Sequence, residues 1–112
     1  MTKAEKISKF DPNGFGATNQ QIFGLPFNFD ESEIVLLPVP WEVTVSYKPG
    51  TAKGPQAIFD ASPQIDLFDP DLKNAWHHGI FMLDVSEEWR LKNARLRPRA
   101  AEYIRLLESG AD

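Results

Sequence analysis

Residues 38–62 read PVPWEVTVSYKPGTAKGPQAIFDAS, and their order decides how the chain is built. Just before them runs Glu33-Ile-Val-Leu-Leu-Pro-Val39, whose apolar stretch from Ile34 is rich in β-branched residues, the pattern of a strand covered on both faces. Pro38 and Pro40 cannot donate ladder hydrogen bonds, so pairing is expected to end there. A polar loop follows over residues 41–51, with Thr44, Ser46, Tyr47 and a Pro49-Gly50 turn. Gly54-Pro55 then opens a helix predicted over 54–62, because proline at the first helical position has no N–H to leave unpaired and a φ already helical. Ala57, Ile58 and Ala61 share a narrow face suited to packing on a sheet, and Pro63 discourages continuation. Strand, elaborate loop, then helix is how open α/β sheets present ligand-binding residues at the carboxyl ends of their strands.

Working outward, residues 79–85 (GIFMLDV) give a second buried-type strand that is apolar until Asp84. Residues 65–68 suit a short extended piece ended by Asp69-Pro70-Asp71, and residues 86–95 are polar without a clear period. From Pro98 an amphipathic helix is predicted, with Ala100, Tyr103, Ile104 and Leu107 on one face, Arg99, Glu102 and Arg105 on the other, and Gly110 as its C-terminal cap. Residues 1–30 read as an N-terminal extension without a core element, because Asp11-Pro12-Asn13-Gly14 and Gly16 are turn formers and no period persists. Phe10, Phe15, Ile22, Phe23, Leu25, Phe27 and Phe29 make this arm too apolar for a free tail, so it is expected to lie over a neighbouring surface or subunit. Residues 31–112 form the α/β part. Two parallel strands need helices on both faces and strands at both edges, which about two strands and two helices do not supply. A complete domain of this size buries only somewhat above roughly 60% of its unfolded surface. The expectation is an incomplete domain.

The 112 residues are 42% hydrophobic and 25% charged, an ordinary globular composition. A net charge of −4 argues against nucleic acid as a partner, and the basic stretch over 90–105 reads as the solvated face of a helix. The absence of cysteine excludes disulfides, thiolate nucleophiles and cysteine-ligated zinc. No apolar run approaches the roughly 20 residues of a membrane helix, and the N-terminus lacks the apolar stretch of a secretory signal, so a cytoplasmic protein is expected.

Residues 41–51 are the best candidate site. Thr44, Ser46 and Tyr47 offer hydroxyls and Trp41 a flat wall, which suits a rim that orients a cationic substrate by hydrogen bonds and cation–π contact. The same residues also suit a bland role, with Trp41 plugging a core and the hydroxyls satisfying turn backbone. His77-His78 would point to opposite faces at a strand start, and Asp66, Asp69, Asp71 and Asp84 lack metal-ligand spacing. Ser46 has no nucleophile-elbow motif around it.

Taken together, Thr44, Ser46, Pro49, Gly50, Gly54, Pro55, Ala57, Ile58, Ala61 and Ser62 resemble the start of the ureohydrolase family (arginases, agmatinases, formiminoglutamases), in its agmatinase-like branch. The first helix of that branch reads roughly P-x-A-I-x-x-A-S, and Leu83-Asp84-Val85 partly matches a Gly-Asp-Val at its next strand. The resemblance covers about residues 33–88. It departs from the family at Tyr47, Ala52 and Phe59, where many agmatinases carry Asn, Arg and Arg; those positions bear on the substrate and not on the fold.

What the resemblance implies is the N-terminal part of an arginase-like three-layer αβα fold with a parallel sheet, incomplete in this chain. The activity implied is hydrolysis of a C–N bond in a linear guanidine or amidine, agmatine to putrescine and urea, by a homo-oligomer acting on a small cationic guanidino substrate. Trp41, Thr44, Ser46 and Tyr47 would be its substrate-binding residues. Two Mn²⁺ ions (nickel in some relatives) are implied, held by Gly-Gly-Asp-His, Asp-x-His-x-Asp and Ser-x-Asp-x-Asp-x-x-Asp-Pro stretches. None of these occurs in this sequence, so the ligands are expected downstream of residue 112 and the chain alone is expected to be inactive. The rival expectation is a non-catalytic α/β module or remnant that completes its sheet on a partner.

Overall fold

The computed structural model describes residues 1–14 and 21–110, so Phe15 and Gly16 lie outside the described residues. The elements are α1 (Lys3–Lys9), β1 (Ile34–Leu36), α2 (Gly54–Ala61), β2 (Ile80–Met82) and α3 (Glu87–Glu108), with short 3₁₀ turns between them. They form two compact units, Met1–Leu37 with Ala57–Leu83 and Pro38–Gln56 with Asp84–Asp112. Among the described residues no helix is long and apolar enough to cross a membrane.

In the first unit β1 and β2 pair in parallel, Ile34 opposite Ile80, Val35 opposite Phe81 and Leu36 opposite Met82. The Gly79 carbonyl accepts from Ile34 N–H at the start, and Leu36 O accepts from Leu83 N–H at the end. The two strands are thus where the apolar runs predict them, but each is three residues long. Pro38 and Pro40 withhold the donors that further pairing requires. The expected cover on both faces is not there: Ile34 is 48% and Val35 38% exposed, and Ile58 on the apolar face of α2 is 60% exposed.

The segment before residue 31, read from the sequence as an extension, supplies the most buried side chains of the unit. Ile22, Leu25 and Phe27 are essentially inaccessible, and Leu25 and Phe27 cluster with Trp76. The Trp76 ring lies 4.9 Å from that of Phe10 and 6.2 Å from that of Phe27. Ile7 of α1 packs on the same cluster. Thr2 caps α1 by accepting from Glu5 N–H at 3.2 Å. Buried Ser62 accepts from Phe23 N–H and donates to Phe59 O, both at 2.8 Å, so the last residue of the P-x-A-I-x-x-A-S stretch pins the turn that carries Ile22.

His77 and His78 sit on a 3₁₀ turn, not at a strand start, and take separate partners. The His77 ring stands edge-on to Trp76, and His78 Nδ1 lies 2.8 Å from Glu33 Oε2. Glu31 accepts from Lys6 Nζ at 2.6 Å and from Asn28 N–H at 3.0 Å. The Lys6 ammonium, followed by the Asn28 amide, holds the Glu31 carboxyl below its usual range, and the bond to His78 does the same for Glu33.

Two outcomes follow for this unit. Gly79 has φ +82°, and a Cβ there would meet Glu31 O at 2.8 Å, so Gly79→Ala is expected to destabilise the chain by about 1–3 kcal/mol in denaturant unfolding. Both lowered carboxylates add stability that is fully present above the ordinary value of 4.5 and lost as pH falls through the folded-state values. Unfolding midpoints measured from pH 7 to 3 should therefore fall less steeply for Glu31→Gln than for wild type, and identical slopes would rule Glu31 out.

Candidate functional site

Trp41, Thr44, Ser46 and Tyr47 all lie in the second unit, on the loop that precedes α2. The backbone of this loop is held from α3. That helix starts at Ser86, whose Oγ accepts from Trp89 N–H at 3.3 Å, with Glu87 and Glu88 in the first turn where the helix dipole favours acids. It therefore begins well before Pro98, which sits inside it. Pro98 leaves the Ala94 carbonyl without its helical donor, and Ala94 is exposed, so water can take that bond. At the far end Gly110, with φ +82°, donates to Leu107 O, the cap expected of it.

The side chains at 89, 93 and 97 recur every four residues and so share one face of α3. Trp89 meets Trp41 edge to face, centroids 5.6 Å apart. Asn93, only 8% exposed, accepts from Glu42 N–H through Oδ1 at 2.7 Å. Arg97 Nη1 donates to Val43 O at 3.0 Å. Val43 is buried between these attachments. Within the loop, Glu42 O accepts from Val45 N–H, the Glu42 carboxylate accepts from Gly50 N–H, and Gly50 O accepts from Lys53 N–H.

The four predicted residues are thus brought onto one anchored loop, in two different settings. Trp41 is half-buried against Trp89, while Thr44, Ser46 and Tyr47 are exposed, Tyr47 at 76%. Lys48 Nζ stands 5.5 Å from the Tyr47 ring centroid, so that ring already carries a cation. Glu42, Asn93 and Arg97 bond to the loop backbone at Gly50, Glu42 and Val43, and none of these bonds uses a hydroxyl of Thr44, Ser46 or Tyr47. Sequence reasoning missed Trp89, Asn93, Arg97 and Glu42. The four-residue recurrence of the first three was the available signal, hidden because this stretch was read as polar and basic. Among the described residues no group of three or more His, Cys, Asp or Glu side chains is placed to hold a metal ion, so the residues present do not fit a metal pair.

Compared with known proteins, the model of the Arginase family matches residues 32–109. An N(1)-aminopropylagmatine ureohydrolase of Synechocystis sp. is 32% identical over 53 residues, which are 47% of this chain and 17% of that protein. An N(1)-aminopropylagmatine ureohydrolase of Thermus thermophilus is 40% identical over 40 residues, 36% of this chain and 14% of that protein. The chain therefore spans well under a fifth of the length of these curated relatives. No solved structure matches.

Removing the Asn93 acceptor leaves Glu42 N–H without its partner in a half-buried setting. Asn93→Ala is expected to cost about 1–3 kcal/mol, with faster hydrogen exchange at the Glu42 amide, and Asn93→Asp, which keeps an acceptor, to lose less. Equal losses in the two variants would remove the hydrogen bond as the cause.

Proposed function

The chain belongs to the arginase family, and on that premise we propose that it is the N-terminal part of a ureohydrolase. The reaction is hydrolysis of a guanidino C–N bond in a linear guanidine, agmatine or its N(1)-aminopropyl derivative, with release of urea. The observation that carries this reading is the family match over residues 32–109, which takes in β1, the anchored loop, α2, β2 and α3. The parallel pairing of β1 with β2 supports it, as the arrangement an α/β sheet requires.

The substrate of such an enzyme is a flat cation on a flexible aliphatic tail. Exposed Thr44, Ser46 and Tyr47 present hydroxyl acceptors for its N–H groups, and half-buried Trp41 offers a flat aromatic face. These residues bind and orient in this reading. A metal pair, proposed to be manganese, would supply an activated water in the whole protein, held by residues other than those of this chain. The chain by itself has no hydrolase activity in this proposal. The whole protein acts as a homo-oligomer in the cytoplasm.

The direct test is urea release from agmatine and N(1)-aminopropylagmatine by the whole protein and by the 112-residue chain; activity in the first alone is expected. A whole protein inactive on both would overturn the reading. In the active protein, Tyr47→Phe and Ser46→Ala should raise KM from a few-fold to about tenfold with little change in kcat, as for one neutral hydrogen bond made equally in ground and transition states. A drop in kcat by orders of magnitude at unchanged KM would instead place the loop in the chemical step.

A further inference from the structure

Glu42 stands beside the four candidate residues, and its backbone N–H, its carbonyl and one carboxylate oxygen are all engaged in shaping the loop. Resting on the ureohydrolase reading, we propose that Glu42 is a positioning residue whose carboxylate closes the loop at Gly50 and so sets how Thr44, Ser46 and Tyr47 meet a cationic guanidine. Its backbone N–H donates to Asn93 Oδ1 on α3 at 2.7 Å, its carbonyl accepts from Val45 N–H at 3.1 Å, and its Oε2 accepts from Gly50 N–H. One residue thereby ties the base of the loop to α3 and the base to the tip.

The tip needs such a tie. Gly50 has φ +137° and Lys48 φ +47°, two positive values within three residues. Nothing lies within 4 Å of a Cβ built on Gly50, so its conformation is not imposed by a crowded neighbour. A charge-assisted bond from a carboxylate to a backbone N–H is among the stronger bonds available to hold a turn of this kind. The exposed residues of the proposed rim, Thr44, Ser46 and Tyr47, lie between the two points that Glu42 joins. Any change in that closure therefore moves the hydroxyls together.

An acid near a cationic substrate invites a second role, direct pairing with the guanidinium, and two conservative variants separate the two. Glu42→Gln removes the charge but keeps an oxygen acceptor in reach of Gly50. Glu42→Asp keeps the charge but draws the acceptor back by one methylene. Positioning predicts KM for the linear guanidine within about threefold of wild type in E42Q and about tenfold higher in E42D, with kcat little changed in both. Hydrogen exchange at the Gly50 amide of the 112-residue chain should follow the same order, faster by about tenfold in E42D and by less in E42Q. The reverse order overturns the proposal in favour of direct charge pairing, and unchanged Gly50 exchange in both variants overturns it outright. A wild-type whole protein that releases no urea from linear guanidines sinks the functional reading alone. The Gly50 exchange order then still supports or refutes the closure by Glu42.

Discussion

Parallel pairing between Ile34–Leu36 and Ile80–Met82 is the constraint from which the rest of the chain takes its order. Two parallel strands cannot be joined by a tight turn, so the chain must leave β1 at one end and return to the start of β2 through a long connection. The loop, helix α2 and the turns over residues 62–79 are that connection. Both strands are only three residues long, and three paired residues define a register without providing much stability of their own. Stability comes from side chains packed beneath them, above all Trp76 with Phe10, Leu25 and Phe27.

Where a residue's local chemistry settles its conformation, the sequence was legible. The two apolar runs became the two strands, Gly54-Pro55 opened α2, and Gly110 capped α3, each for a reason confined to a few neighbouring residues. The start of α3 is obscured in the sequence because Pro98 is as good a helix opener as it is a poor helix interior, and it masks the competing signal of Ser86 before two glutamates. The burial of the N-terminal segment, expected from the sequence only against a neighbouring surface or subunit, is hidden for a different reason. Ile22, Leu25 and Phe27 have no helical or strand period, and what buries them is Trp76 and neighbours far along the chain, which no local pattern encodes.

The loop was legible as a loop, and its attachments were not. Thr44, Ser46 and Tyr47 draw attention because hydroxyls suggest ligands. Glu42, Asn93 and Arg97 look like ordinary surface polar residues and instead spend their hydrogen bonds on backbone. A buried Asn93 is informative in this respect, since an amide removed from water costs free energy unless it is bonded. Its partner turns out to be a main-chain N–H in the loop, so helix and loop are joined by groups whose geometry tolerates little drift. The family match ends at residue 109, just past the last residue of α3, so the helix that carries these attachments lies wholly inside the matched stretch.

Ser62 has a consequence for the way this protein is made. Its hydroxyl ties residues thirty-nine positions apart, and the Trp76 indole against which Phe10 and Phe27 pack is farther along still. Synthesis delivers Ile22, Leu25 and Phe27 first, so they emerge from the ribosome with nothing to bury them until the end of α2 and then Trp76 have followed. An early-made part of the unit is thus buried only by residues made after it. The long sequence separation of these contacts favours slow assembly. During that interval the nascent chain exposes the side chains that are least accessible once it is folded, and those are the residues a chaperone would meet.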